Sequence, residues 1–219
     1  MTDVGENCRR VLYRIHEAAA RSGRDPQAIR LIAVTKTVPV EKIRQAVEGG
    51  VSNLGENRVQ EALSKREALQ DLPVTWHFIG HLQTNKAKKV LENFDWIQSV
   101  DRPELAEKLN QWASRPVPVM IEVKLHEEPG KSGVEEPGLE ELVKQFPRLD
   151  RLQLRGLMAI PPFFEDPEDA RPYFQRLRRF AEQFGLAELS MGMSHDFEVA
   201  IEEGATMVRI GTALFGERS

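Results

Sequence analysis

The sequence predicts an α/β fold: a single (β/α)8 TIM barrel with an extra helix at its N-terminus. Three observations point there. Short, β-rich apolar runs alternate with helical patterns along the chain, eight such runs can be placed, and no G-x-G-x-x-G follows the first of them. Strand–helix alternation builds right-handed parallel βα units, and eight of these in about 200 residues fit one closed barrel. The rival is an open, doubly wound sheet, which the count of eight and the missing glycine fingerprint disfavour.

The elements follow in order. Residues 3–21 place Val4, Cys8, Val11, Leu12, Ile15, Ala18 and Ala19 on one helical stripe. Ser22-Gly23 ends that helix. The β-rich runs lie at 30–36, 51–55, 75–80, 96–100, 117–124, 152–160, 189–194 and 207–215. Helical patterns fill 40–49, 58–70, 85–93, 103–114, 139–146, 167–184 and 195–204. Pro39, Pro103 and Pro167 sit where a first helical turn tolerates proline. Gly49-Gly50, Gly185 and Gly204 sit where helices stop.

Composition removes several classes of function. Thirty Lys and Arg against 34 Asp and Glu give a net charge of −4, which argues against a basic nucleic-acid surface. No apolar run approaches the roughly 18 residues of a spanning helix. The N-terminal MTDVGENCRRVLYR has no signal-peptide core, so a cytoplasmic protein without a membrane partner is expected. The single cysteine, Cys8, leaves no internal disulfide or multi-cysteine metal site and reads as a small buried hydrophobe.

Chemistry in such a barrel belongs at the C-terminal ends of the strands. Lys36 ends the first strand, and partial desolvation there would lower its pKa and make the amine nucleophilic, as a Schiff-base lysine requires. The alternative is a solvated surface charge. The last two strands end in Gly192-Met193-Ser194 and Arg209-Ile210-Gly211-Thr212, where this fold recurrently cradles phosphate. Ser194 and Thr212 offer hydroxyls, Gly211 permits close backbone approach, and a helix starting near His195 would supply N–H groups. Asn57 either presents its amide to a ligand or caps the next helix. His77 and His81 lack a third metal ligand, so no metal is expected. Lys86, Lys88 and Lys89 read as a solvated helix face. Gly130-Lys131-Ser132 fails as a phosphate-binding P-loop because Leu125 stands where its first glycine is required.

Seven segments then match in order: A-V-T-K at 33–36, G-E-N at 55–57, W-H-F-I-G-H-L-Q-T-N-K at 76–86, K-S-G at 131–133, R-G-L-M-A-I at 155–160, G-M-S-H-D at 192–196 and V-R-I-G-T-A-L-F-G at 208–216. Together they resemble the pyridoxal phosphate homeostasis protein family, whose barrel is similar to that of alanine racemase. The resemblance implies that residues 1–219 form a single domain binding pyridoxal 5'-phosphate (PLP), with residues 1–23 as the added helix and 30–216 as the barrel. It implies that Lys36 carries PLP as a Schiff base, that Asn57 lies near the ring hydroxyl, and that Met158 packs near the ring. It further implies that Ser194, Gly211 and Thr212 cradle the phosphate and that Arg209 faces the pyridine nitrogen. Lys124 departs from the asparagine of many members.

An arginine only donates, so Arg209 would keep the pyridine nitrogen unprotonated and the ring a weak electron sink. Tyr13 falls in the N-terminal helix and Tyr173 in the helix at 167–184, so neither is an obvious substitute for the acid/base that racemases recruit from an added domain. A monomeric carrier that supplies PLP to apo-enzymes without efficient turnover is therefore expected, with Lys131 a candidate for transfer. The competing readings are a racemase or decarboxylase, a barrel for another phosphorylated metabolite, and a scaffold.

Overall fold

The computed structural model describes residues 3–128, 130 and 132–217. Lys131 lies outside the described residues. Among the described residues nine parallel-paired strands are present: β1 (Arg30–Val34), β2 (Asn53–Glu56), β3 (Thr75–Phe78), β4 (Trp96–Val100), β5 (Val117–Lys124), β6 (Val134–Glu135), β7 (Leu152–Met158), β8 (Glu188–Ser190) and β9 (Met207–Ile210). Pairing runs β4-β3-β2-β1-β9-β8-β7-β5, and an additional β4–β5 pairing closes the ring. The two-residue β6 hangs outside the ring on the end of β5, with Val123 opposite Val134. The closed eight-strand parallel barrel expected from the alternation is thus present.

Around it lie α1 (Val4–Arg21), α2 (Val40–Glu48), α3 (Val59–Ala68), α4 (Ala87–Asn93), α5 (Pro103–Trp112), α6 (Glu136–Gln145), α7 (Arg171–Gln183), α8 (Phe197–Glu202) and α9 (Thr212–Phe215). α1 starts at Asp3, whose carboxylate accepts the Glu6 N–H at 3.0 Å, satisfying one of the donors left free at a helix start. Its stripe is buried as expected, Cys8 included, and Leu12 is partly buried beside it. Asn7 is buried too, because its amide donates to the Leu214 carbonyl at 2.9 Å. α1 lies over α2, α8 and α9. Since α9 has only four residues, α1 supplies most of the cover that a full eighth helix would give.

Several boundaries differ from the sequence expectation, each for a local reason. The first run ends as a strand at Val34, because Thr37 turns the chain with φ 62°. The run at 189–194 gives a strand only over Glu188–Ser190. Gly192 (φ 87°) turns there, and the Asp196 carboxylate accepts the Met193 N–H at 2.6 Å. That turn delays α8 to Phe197 rather than 195. The last run splits, with Leu214 and Phe215 belonging to α9 and not to a strand. Pro39 precedes α2 as its cap.

Period-two alternation sorts the barrel strands into two faces. Leu31, Ala33, Val119, Ile121 and Leu157 pack outward into the main core under the helices. Ile32, Met120, Met158 and Met207 form a separate buried cluster inside the barrel. The same parity carries Glu122, Arg209 and Lys36 toward the barrel interior and its C-terminal mouth.

Candidate cofactor site

Lys36 stands two residues past β1. Val34 is opposite Gly55 on one side, and Ala33 is opposite Ile210 on the other. Continuing those registers puts Lys36 between Asn57 and the start of α9. A cavity of about 180 Å³ opens beside Lys36 toward α2 and α9, lined by Lys36, Thr37, Lys42, Gly211 and Thr212 among others, while Asn57, Met158, Ser194 and Arg209 lie outside its lining. The sequence-predicted Lys36, Gly211 and Thr212 are therefore brought together.

The backbone flanking Lys36 is clamped. Lys65 of α3 donates from Nζ to the Thr35 carbonyl, to Glu56 Oε1 and to Glu61 Oε1, the latter two at 2.7 Å. The Thr35 hydroxyl donates to the same Glu56 oxygen at 2.6 Å. Glu61 in turn accepts the Thr37 N–H. A non-glycine residue at positive φ costs on the order of 1–3 kcal/mol and persists only where neighbours over-determine it; Thr37 meets that condition through Glu61. Burial pushes the Glu56 carboxyl up, opposed by Lys65 and Thr35. No feature of the sequence flagged Lys65, whose side chain is only 7% exposed.

Asn57 is not a cap. α3 begins after Arg58 without a side-chain cap, and Asn57 Oδ1 is buried with no hydrogen-bond partner. An orphaned buried amide oxygen is costly unless a ligand completes it. Gly80 holds Asn57 in place: a Cβ there would lie 2.4 Å from the Asn57 carbonyl oxygen.

Ser194 bridges the last two turns. Its Oγ accepts the N–H groups of Gly211 and Ala213, both at 3.2 Å. A Cβ at Gly211 would make only ordinary contact with Val34. Internal packing therefore does not demand glycine there, and the freedom it leaves is toward the cavity. These hydroxyls and amides are the donor types that an anion needs. His195, expected at the helix start, is exposed, with its Nε2 3.0 Å from the Glu165 carbonyl.

Arg209 is buried inside the barrel, donating from Nη1 to Ser190 Oγ at 2.6 Å and from Nη2 to the Ala159 carbonyl at 2.8 Å. Desolvation lowers its pKa to about 10, while Glu122 and Asp196 oppose the shift. It stays cationic at neutral pH. Met158 is fully buried in the methionine cluster. Lys124, on the rim, lies 3.7 Å from both Glu127 and Glu135.

Glu122 was not among the sequence-derived site residues. It points into the mouth, where Ser132 donates to its two oxygens at 3.2 and 3.1 Å. Burial pushes its carboxyl up to about 7, with Asp101 adding to the shift while Ser132 and Arg209 oppose it. Below pH 4.5 both folded and unfolded chains hold this proton; between 4.5 and 7 only the folded chain does. Stability from this group is thus complete in acid and lost as pH rises through 7. Glu122→Gln removes that dependence. Relative to Glu122→Gln, the parent chain is expected to lose up to ~3 kcal/mol between pH 4.5 and 8, read from urea midpoints. A parallel pH profile in both proteins would refute this.

Among the described residues no helix is long and apolar enough to cross a membrane, and no cluster of metal-ligating side chains occurs.

The alanine racemase N-terminal domain model matches residues 8–219. A pyridoxal phosphate homeostasis protein of Aquifex aeolicus is 49% identical over 97% of this chain and 97% of its own length. The chain belongs to the pyridoxal phosphate homeostasis protein family. The member from Escherichia coli K12 is 43% identical over 100% of this chain and 98% of its own length. PipY of Synechococcus elongatus PCC7942, solved with PLP bound, matches with a TM-score of 0.82 and 41% identity, over 93% of this chain and 100% of its own. Alanine racemase from Corynebacterium glutamicum shares the fold at a TM-score of 0.70 and 18% identity, this chain covering 60% of its length. The resemblance drawn from the seven sequence segments is borne out at the level of family and fold.

Proposed function

We propose that this chain is a PLP carrier that holds the cofactor as a Schiff base on Lys36, regulates intracellular PLP supply and performs no efficient turnover. The observation that carries the reading is the shared cavity of Lys36, Gly211 and Thr212 at the barrel mouth. The residues present fit PLP. An amine lies beside a set of anion donors, and the partnerless Asn57 Oδ1 is an acceptor for the ring hydroxyl. PLP when bound supplies an aldehyde and a pyridine ring that can act as an electron sink.

Lys36 would hold PLP through its Nζ, the nucleophilic amine that an aldehyde calls for. The hydroxyls of Ser194 and Thr212 would bind the phosphate, with Gly211 leaving room for its approach and the Gly211 and Ala213 amides holding Ser194 Oγ in place. Met158 supports the ring from the barrel interior. Arg209 uses two of its five donors within the protein and offers a further N–H to the pyridine nitrogen. A cation there disfavours protonation of the nitrogen, so the ring withdraws electrons weakly and carbanion chemistry is slow. Residues 1–219 act in this reading as one cytoplasmic, monomeric PLP-binding domain whose recipients are apo PLP-dependent enzymes.

The test is the visible spectrum of the purified chain incubated with PLP, before and after borohydride, beside Lys36→Ala. A Schiff-base band that borohydride converts to a stable adduct, and that the variant lacks, is expected. A parent chain without that band overturns the reading, and steady turnover of an amino acid overturns the carrier assignment.

A further inference from the structure

The barrel interior holds a chain of polar side chains that runs away from the mouth. Arg209 Nη1 donates to Ser190 Oγ at 2.6 Å. Ser190 Oγ lies 2.7 Å from Gln98 Oε1. Gln98 Nε2 lies 3.0 Å from His77 Nδ1, and His77 Nε2 lies 3.0 Å from Asn53 Oδ1. Five residues on β9, β8, β4, β3 and β2 are linked across the barrel. Ser190, Gln98 and His77 have no exposed surface.

The direction of every bond follows from one fact: a guanidinium can only donate. Ser190 accepts from Arg209, so its own proton goes to Gln98 Oε1. That fixes the amide with Nε2 toward His77 and makes Nδ1 an acceptor. His77 must then carry its proton on Nε2 and give it to Asn53. Burial, with a smaller effect from Arg30, holds the imidazole down at about 3, so it is neutral and a single tautomer satisfies both neighbours. Ser190, Gln98 and His77 are each bonded on both sides, and a buried polar network so connected rigidifies its members.

Resting on the PLP reading above, we infer that Ser190, Gln98 and His77 are positioning residues: through one-directional hydrogen bonds they fix the Arg209 guanidinium so that its remaining N–H groups face the pyridine nitrogen. Three strands thereby set the electronic state of a ligand that none of the three side chains is assigned to contact. Without the Ser190 acceptor, Arg209 can rotate within the interior; with Gln98 inverted, Ser190 has no acceptor for its proton.

Two measurements on the full chain test this. The first is imidazole ¹⁵N NMR of the parent protein, where His77 is expected to be neutral with its proton on Nε2; a proton on Nδ1 overturns the relay's direction. The second compares PLP affinity and the position of the visible band for the parent, Ser190→Ala, Gln98→Leu and His77→Gln. Loss of a buried hydrogen bond to a charged group corresponds to a roughly tenfold or greater effect. Ser190→Ala and Gln98→Leu are expected to bind PLP about tenfold more weakly, with a displaced band. His77→Gln, which can still accept from Gln98 and donate to Asn53, should keep both properties near the parent's. If the parent's band persists unmoved in all three, with unchanged affinity, this inference fails while the PLP reading stands. If the parent chain itself takes no PLP, both fail.

Discussion

Lys65→Met is expected to unfold the protein some 6–20 °C below the parent chain, a loss of about 3–5 kcal/mol. Lys65 compensates Glu56, a carboxylate with no exposed surface whose second oxygen, Oε2, has no partner at all. Removing the cation leaves that carboxylate buried without a counter-charge, the costly way to break an interior ion pair. It also frees the Thr35 carbonyl and the Glu61 carboxylate, so both backbone bonds flanking Lys36 loosen together. The deficit should shrink on acidification. Without Lys65 the Glu56 pKa rises further in the folded state, so stability is recovered as pH falls through that raised value. Glu56→Gln, which keeps an acceptor for Thr35 and leaves Lys65 paired with Glu61, should cost less. PLP retention should fall in Lys65→Met even at temperatures where the fold is intact. Calorimetry at pH 5 and 8 with PLP titration checks this, and a melting temperature within 2–3 °C of the parent at both pH values would sink it, since that is the effect of about 1 kcal/mol.

The clamp shows why part of the site was legible and part was not. Lys36, Gly211 and Thr212 could be read because strand ends of a parallel barrel all point to one mouth, and the alternation located those ends. Arg209 and Met158 entered through the family resemblance, and interior parity places both inside the barrel. Lys65 and Glu61 occupy a short helix whose polar residues look solvated in sequence; their role needs α3 laid against the β1 end. Asn53, His77, Gln98 and Ser190 come from four different strands, and only barrel closure brings them into one line. The signal that could have found them is the set of polar residues on the inward parity of β2, β3, β4 and β8, which the sequence reading did not use. Branched apolar residues dominate such a barrel interior, so those positions mark an unusual one, but they do not reveal the partners. The misplaced ends of the runs at 189–194 and 207–215 share another cause: apolar residues serve a strand and the following short helix equally well, and periodicity cannot divide them.

Gly156→Ala is the second large effect. Gly156 is opposite Glu188 where β7 pairs with β8, and a Cβ there would fall 1.8 Å from the Glu188 carbonyl oxygen. Neither atom can yield as a side chain would, since both belong to paired backbones. The strands must separate, and β8 has only three residues with which to hold its place. Overpacking ordinarily costs about 1–3 kcal/mol and more where rigid backbone opposes it; a loss of ~3 kcal/mol or more is a large share of a domain's stability. Separation also moves Ser190, the residue on which Arg209 rests, and the turn that presents Ser194 to the Gly211 and Ala213 amides. Both ends of the proposed cofactor site thus depend on a strand whose position is set by one missing methyl group. Folded Gly156→Ala, isolated at low temperature, is expected to bind PLP more weakly than the parent chain, alongside a melting temperature lowered by at least ~6 °C. Parent-like melting together with parent-like PLP affinity would show that β8 can shift freely, and the coupling of β7–β8 spacing to the site would be wrong.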